Sequence, residues 1–503
     1  MGKKRTFIKG TLILTAAGVL TRIIGFFFRI FLSRTLGADG LGIYQLIFPI
    51  QGLCCALCSS GIQTVISGQV AANISSHKDN SPLSILKNGL ILSVSLSILA
   101  AFLLHINAEW IAINILSEKR CTLPLQYLSY SIPFSSIHIC ICGYYFGCNK
   151  AGIPAFSQFL EQVVRVISTY LVWITICGNG ELFTPENAVI GAITGEISSS
   201  LFCMLSLNIS KINRVQIHII KKIAAASVPL TSNRVMLSIF QSAEAILLPS
   251  QLKNSGLSSA DALSIYGILT GMALPFIMFP ATITNSMSTL LLPAIAEADS
   301  NNNENQIKVS SESSIMVSLI LGIFCTGIFY RYGKDIGTIL FSNPTSGYYL
   351  IILAWLCPFM YLSTTLSSIL NGLGHTSTTF ILNIISITIR ILFTLLLVPS
   401  YGISAYLCGV LVSQFVLAFT HYLHLISYVN LKIYISKTII VPILGIISAI
   451  TTADIVCYII RLQGFKNLFT SCIISTLIFG IIMYKTLLSQ TSCHKHRNIK
   501  LNT

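Results

Sequence analysis

The sequence predicts an all-α polytopic membrane protein of about fourteen transmembrane helices, in two parallel six-helix lobes plus a terminal helix pair. Three observations carry that expectation. Of 503 residues, 53% are hydrophobic and 9% charged, with a mean hydropathy of +0.78; soluble chains carry about 25% charged residues and could not cover their surface with so few. Apolar stretches long enough to cross a bilayer recur along the whole length. A repeat of 225 positions relates the two halves of the chain.

The spans fall near 11–33, 41–66, 88–107, 123–147, 153–177, 187–209, 224–249, 262–292, 314–330, 348–371, 378–398, 402–426, 437–460 and 467–488. The opening MGKKRTFIKG leads into an apolar run interrupted by Arg22, with no small-x-small cleavage site, so the first span is expected to be uncleaved. The longest polar run, EADSNNNENQIKVSSESS (297–314), is expected to be a loop. No polar stretch reaches the roughly 50 residues of a separate domain. The Lys and Arg residues divide roughly 18 inside to 8 outside when the N-terminus is inside. KKR (3–5), SKINR and IKK (210–222), Lys432, Lys437 and the tail supply the inner excess. A multi-pass cell-membrane protein with both termini cytoplasmic is therefore expected. The formal charge of +15 is topogenic on this reading, and nucleic acid is excluded as a partner. The 15 cysteines are scattered through apolar stretches and read as small hydrophobes rather than as a disulfide framework or zinc site. No metal or cofactor is expected, and the terminal CHKHR (493–497) reads as a basic tail.

The repeat shows in YSIPFSSIHICICGYYFG (130–147) and WLCPFMYLSTTLSSILNG (355–372). Pro133 and Phe134 align with Pro358 and Phe359, and Gly147 with Gly372; Arg165 aligns with Arg390 and Thr169 with Thr394, always 225 apart. A six-helix unit returns the chain to its starting side, so the halves are expected to run parallel about an axis along the membrane normal. The expected divisions are 1–215, 216–430 and a terminal pair with its tail at 431–503.

Charges inside spans are costly and mark function or pairing. Arg22, Arg29, Arg165, Arg234 and Arg390 fall there, with Glu161, Glu196 and Glu244; Asp454 lies nearer a span end. Arg22, Arg165 and Arg390 are each about 15 Å from either end at helical rise, too deep to snorkel. Glu161 and Arg165 are four apart and form either a structural pair or part of a binding site. Arg22 and Arg29, seven apart, can line one wall. Arg grips phosphate oxygens bidentately, so five Arg against three Glu favour an anionic substrate. A pyrophosphate on a lipid carrier fits, its head in the cavity and its tail in the bilayer. Pro49, Pro133, Pro229, Pro275, Pro280 and Pro358 permit kinks, and Gly191, Gly195, Gly267 and Gly271 permit close helix packing.

The opening TLILTAAGVLTRIIGFFFRIFLSRTLGADGLGIYQLIFPI, with SSGIQTVISGQVA (59–71), SVPLTSNRVMLSIFQSAEAILLP (227–249), IYGILTGMALPFIMFPATITNSMSTLLLPAIAEA (265–298) and SSILNGLGHT (367–376), resembles the stage V sporulation protein B family. That family belongs to the multidrug/oligosaccharidyl-lipid/polysaccharide (MOP) flippase superfamily. The resemblance implies fourteen helices of the multidrug-exporter and lipid II flippase kind, and export or flipping of a lipid-linked cell-wall or polysaccharide precursor in spore cortex synthesis. Similarity to the lipid II flippase branch carries a cavity role to Arg22. Arg29 departs from that pattern by one position, Phe28 standing where the second Arg is expected, and Ile66-Ser67-Gly68 lacks the Lys common after helix 2.

The leading expectation is thus a non-enzymatic flippase acting by alternating access. Arg22, Arg29, Arg165, Arg234 and Arg390 would hold a polyprenyl-pyrophosphate-linked sugar, and Glu161, Glu196 and Glu244 are candidates for Na+ or H+ coupling. Membrane lipids are the expected surroundings and a monomer the expected state. The alternative is an ion-coupled multidrug and toxic compound exporter, which would need acids to dominate the cavity. A membrane glycosyltransferase or acyltransferase finds no D-x-D, H-x-x-x-x-D or H-E-x-x-H; His421 and His424 read as packing. A non-transporting scaffold of the sporulation machinery remains the fourth class.

Overall fold

The computed structural model describes residues 2–76, 82–207, 217–431, 435–461 and 463–500, with side chains at 2–16, 75–76 and 486–500 excluded. The basic cluster at 210–214 and Lys432 lie outside the described residues, as do the side chains of 3–5 and 493–497. The described residues form helices and no strand, as a chain that must satisfy its backbone inside lipid requires.

The chain divides into two compact units, one of Met1–Gly271 with Ile391–Ala405, the other of Met272–Arg390 with Tyr406–Thr503. The first opens with α1 (Gly2–Leu46), α2 (Phe48–Cys55), α3 (Gly61–Ser76), α4 (Pro82–Ile106) and the single turn α5 (Ala108–Trp110). It continues through α6 (Thr122–Ser129), α7 (Ser131–Gly147), α8 (Gly152–Gly178), α9 (Pro185–Leu205), α10 (Ile217–Asn254) and α11 (Ser259–Gly267). Next come α12 (Leu274–Met278), α13 (Ala281–Ser300), α14 (Glu304–Phe341), α15 (Pro344–Leu353), α16 (Leu356–Gly372) and α17 (Thr376–Leu396). The short α18 (Val398–Tyr401) precedes α19 (Ile403–Ile426), α20 (Val441–Ile460) and α21 (Gly464–Lys500).

Local chemistry sets the boundaries. Proline stands in the first turn of α2, α9, α12, α15, α18 and α20, where its missing N–H costs nothing. Side-chain caps cluster in the loops: Ser258 accepts from Asp261 N, Asn303 from Gln306 N and Asn343 from Ser346 N, each at 3.1 Å. Gly37 breaks α1 with φ 68 and ψ −178, a region only glycine enters freely.

By length and apolarity, eleven described helices can cross a membrane, or twelve if α15 and α16, bent by 54°, count as one span. The difference from fourteen has two local causes. Residues 11–33 and 41–66 belong to one helical run, Ala17–Ile74, interrupted at Gly37. The stretch 123–147 is split at Tyr130 into α6 and α7, each shorter than a crossing. The 262–292 span also divides, at Phe279–Pro280, between α12 and α13. The polar 297–314 run is not a loop: α13 continues to Ser300 and α14 starts at Glu304, because Asn303 caps the new helix after a break of three residues, 301–303.

The 225-residue repeat is preserved in backbone geometry. Helices α7 and α16 begin and end in the same register, 131–147 and 356–372. Ser117 and Ser342, 225 apart, are both left-handed (φ 54 and 53). Each is followed by an extended capping residue, Glu118 (φ −147, ψ 102) and Asn343 (φ −137, ψ 108). Asn149 (φ 56) and Gly374 (φ 84) make the same turn after α7 and α16. Packing repeats as well. A Cβ on Gly147 would lie 2.6 Å from the Ser67 carbonyl and 2.9 Å from Val70; one on Gly372 would lie 2.9 Å from both the Leu292 carbonyl and Ile295. Around these contacts lie two apolar cores, one including Ile62, Ile66, Val70 and Ile141, the other Leu291, Ile295, Leu366 and Ile369.

Candidate functional site: a charged cluster among helices of the first unit

Three helices of the first unit turn polar faces toward one another. Helix α7 contributes His138 and Cys142, α8 contributes Ser157, Glu161 and Arg165, and α9 contributes Glu196, Ser199 and Cys203. Within each helix these residues are three or four apart, so they share a face. Close approach of α8 and α9 depends on two glycines. A Cβ on Gly195 would meet the Glu161 carbonyl at 2.9 Å, and one on Gly191 would meet the Arg165 carbonyl at 2.9 Å. The small residues read from the sequence as packing positions thus set the level at which Glu196 meets Glu161.

His138 is the centre of the cluster. Its Nε2 lies 3.0 Å from Ser157 Oγ and its Nδ1 3.2 Å from Ser199 Oγ. The same Nδ1 is 3.8 Å from a carboxylate oxygen of both Glu161 and Glu196. The other oxygen of Glu161 accepts from Arg165 Nη2, so the four-residue spacing on α8 does form an ion pair. Glu196 Oε2 is buried without a hydrogen-bond partner. Cys142 Sγ lies 3.7 Å from Ser157 Oγ, and Cys203 lies against both Cys142 and Ser157.

Tyr44, buried on α1, is within electrostatic reach of both Arg165 and Arg29. Arg29 is half-buried and donates to the Thr270 carbonyl at 3.4 Å. Arg22, on the same helix, is exposed, and Arg234 on α10 is exposed too. Glu244 is buried on α10, apart from the three-helix cluster. Arg390 is half-buried on α17, in the second unit. Asp454 accepts from Arg331 Nε at 2.9 Å and from Tyr332 at 3.2 Å, also within the second unit. The fourteen described cysteines are free thiols, and His421 is buried in α19.

The loop between α4 and α6 carries a second polar group of the first unit. Arg120 donates to both oxygens of Asp39 (2.5 and 3.2 Å) and, through Nε, to Glu118 at 2.9 Å. Ser259 donates to Glu118 at 2.5 Å, and Lys253 Nζ donates to the Ser117 carbonyl at 2.6 Å. Burial pushes the Glu118 carboxyl up, but the hydrogen bonds from Arg120 and Ser259 outweigh it and hold the group at about 2. Reciprocally, the bonds to Glu118 and Asp39 raise Arg120 above its usual range. Next to this group is an open cleft of about 850 Å³ lined by Gly37, Asp39, Gly40, Glu109, Lys119 and Glu186.

Comparison with known proteins gives the family and fold to which these helices belong. The polysaccharide biosynthesis protein family matches residues 7–299, and the MatE family matches residues 250–396. The chain belongs to the polysaccharide biosynthesis protein family. It is 26% identical over 412 residues to stage V sporulation protein B of Bacillus subtilis (strain 168), covering 80% of each chain. The fold is that of the lipid II flippase MurJ in an inward closed conformation, with a TM-score of 0.73 at 16% identity over 95% of this chain and 100% of that one. An inward-facing multidrug resistance MATE transporter gives 0.65 at 14% identity, over 82% of this chain and 97% of that one. The chain is thus a multi-pass membrane protein of that family, with a fold shared by a lipid II flippase and a MATE transporter.

Sequence reasoning found Glu161, Arg165 and Glu196 but missed His138, Cys142, Ser157 and Cys203. Their signal was present in the helical spacings 138/142, 157/161/165 and 196/199/203, which converge only when three helices are considered together.

Proposed function

We propose that this protein flips a lipid-linked sugar precursor carried on a polyprenyl pyrophosphate, by alternating access between its two six-helix repeats. The observation that carries this reading is that Arg29 and Arg165, 136 positions apart in sequence, lie within electrostatic reach of each other and of the buried Tyr44. Two guanidinium groups in one neighbourhood supply positive charge suited to pyrophosphate oxygens in a medium where bare charge is costly. Arg22 extends that surface along α1; Arg234 and Arg390 are assigned to the same cargo from the later repeat. Glu161 and Glu196, with His138 between them, are the coupling groups for H+ or Na+. Glu196 Oε2, which makes no hydrogen bond and lies 3.8 Å from His138 Nδ1, is the acceptor assigned to the ion, while Glu244 is a further candidate on α10. The termini face the cytoplasm, the repeat boundaries lie at 215 and 430, and the spore cortex is the destination of the cargo.

The knot of Asp39, Glu118, Arg120 and Ser259 ties α1 and α11 to the loop before α6. In an alternating-access cycle this latch would open to release cargo. A drug exporter is the second reading, favoured by the MatE match and by the two carboxylates beside His138. One experiment separates the two. In proteoliposomes holding the purified chain, a fluorescent polyprenyl-pyrophosphate sugar should cross the bilayer, and Arg22→Gln/Arg29→Gln should slow it at least tenfold without loss of insertion. Unchanged flipping by that variant would overturn the arginine assignment; cationic dye transport with no lipid flipping would favour the exporter.

A further inference from the structure

The charged cluster has an unexplained opposite side. On the face of His138 away from the carboxylates, its Nε2 and the thiols of Cys142 and Cys203 meet around Ser157. All four residues are buried, and the imidazole nitrogen and two sulfurs lie within 4.8 Å of one another. Zinc–sulfur and zinc–nitrogen bonds of about 2.3 and 2.0 Å place tetrahedral ligand atoms roughly 3.5–3.8 Å apart. The three donors therefore need to close by at most about 1.3 Å, within the reach of side-chain adjustment. Ser157 Oγ, 3.0 Å from Nε2 and 3.7 Å from Cys142 Sγ, stands at the fourth side.

We infer that His138 Nε2, Cys142 and Cys203 form a zinc site, with the fourth position left to the Ser157 hydroxyl or a water. Three arguments converge on that ion. Two thiolates and an imidazole are soft and borderline donors, which select zinc or cuprous copper over sodium, magnesium or calcium. Two thiolates cancel the charge of Zn2+, so the filled site is neutral, whereas Cu+ would leave a buried negative charge among apolar helices. The second shell is also in place: a zinc-bound imidazole commonly directs its other nitrogen to a carboxylate, and His138 Nδ1 already faces Ser199, Glu161 and Glu196. Binding releases the two thiol protons and fixes the proton of the neutral imidazole on Nδ1. Zinc would thereby clamp α7 to α9 and set which proton the coupling carboxylates meet.

The test uses the full chain purified in detergent, loaded with Zn2+ or Co2+ and desalted. Mass spectrometry of the metal should give one zinc per chain, and cobalt should give a near-ultraviolet sulfur-to-metal charge-transfer band. Cys142→Ser/Cys203→Ser should lose both, while replacing Cys493, His494 and His496 by Ala should keep them. Glu196→Gln, which leaves all three donors intact, should weaken zinc by about 10–100-fold. Absence of the cobalt band in the wild-type chain overturns the site. So does zinc retained by the double Cys→Ser variant, or lost only with the tail variant, which would make the three buried residues plain packing.

Discussion

Helices α7 and α8 and their counterparts α16 and α17 are built on one backbone plan yet carry different chemistry. Their caps, left-handed turns and glycine contacts coincide at a spacing of 225 residues. At the same spacing His138 corresponds to Ser363, Cys142 to Ser367 and Glu161 to Ser386, while Arg165 keeps its counterpart in Arg390. Ser386 donates to the Ser413 carbonyl at 3.1 Å, an ordinary helix-to-helix bond where the first repeat has an ion pair. The duplicated part is the scaffold that bends and packs; at the positions of His138, Cys142 and Glu161 the second copy has serine in place of the imidazole, thiol and acid. Ion coupling on this reading is a property of the first repeat, and binding of an anionic head draws on both.

The sharpest way to break that contrast is to neutralise the two equivalent arginines. Arg165→Gln leaves the Glu161 carboxylate without its ion-pair partner and should destabilise the chain by about 3–5 kcal/mol. Arg390→Gln, with Ser386 one turn away, should lose less than half as much in a thermal-unfolding comparison in one detergent. Equal losses would mean that the pair on α8 contributes nothing special. A smaller effect is expected at the matched glycines. Gly147→Ala and Gly372→Ala each force a methyl against a carbonyl and a branched side chain, costing about 1–3 kcal/mol. The first should cost more, because its approach to Ser67 is 0.3 Å closer than the second's to Leu292. The reverse order of melting temperatures would show that the copies are not packed alike.

The smallest effect concerns pH. Glu118 and Asn343 cap equivalent turns, but only Glu118 titrates. Its folded value of about 2 lies below the ordinary carboxylate value of 4.5, so its stabilisation is complete above pH 4.5 and fades as pH falls toward 2. Hydrogen-exchange protection of the 107–121 loop, corrected for the intrinsic rate at each pH, should fall across that window and that of 342–346 should not, and Glu118→Gln should abolish the difference. The partner Arg120 is nearly half exposed, which makes the effect modest.

These contrasts also mark what the sequence could convey. Helical class, the repeat and the Glu161–Arg165 pair were legible because hydropathy, fixed spacing and four-residue separation are one-dimensional signals. The positions of the helix breaks were not, because a glycine with positive φ at 37 and a turn at Tyr130 interrupt a helix without altering its hydropathy. The stretch 297–314 misled for the opposite reason, since polar residues extend a helix beyond its apolar part. Cys142 and Cys203 looked like filler because cysteine burial is read locally, and their company with His138 arises only when α7, α8 and α9 pack.

The turn at 148–150, left-handed at Asn149 in one copy and at Gly374 in the other, holds a counting constraint. Between Ser117 and Arg165, and between Ser342 and Arg390, neither copy has gained or lost a residue. Each residue added to a helix rotates everything beyond it by about 100°. A single insertion at the start of α8 would swing Glu161 and Arg165 out of the cluster together and bring apolar neighbours inward, so the joint sets the aim of the charges as firmly as the residues that bear them.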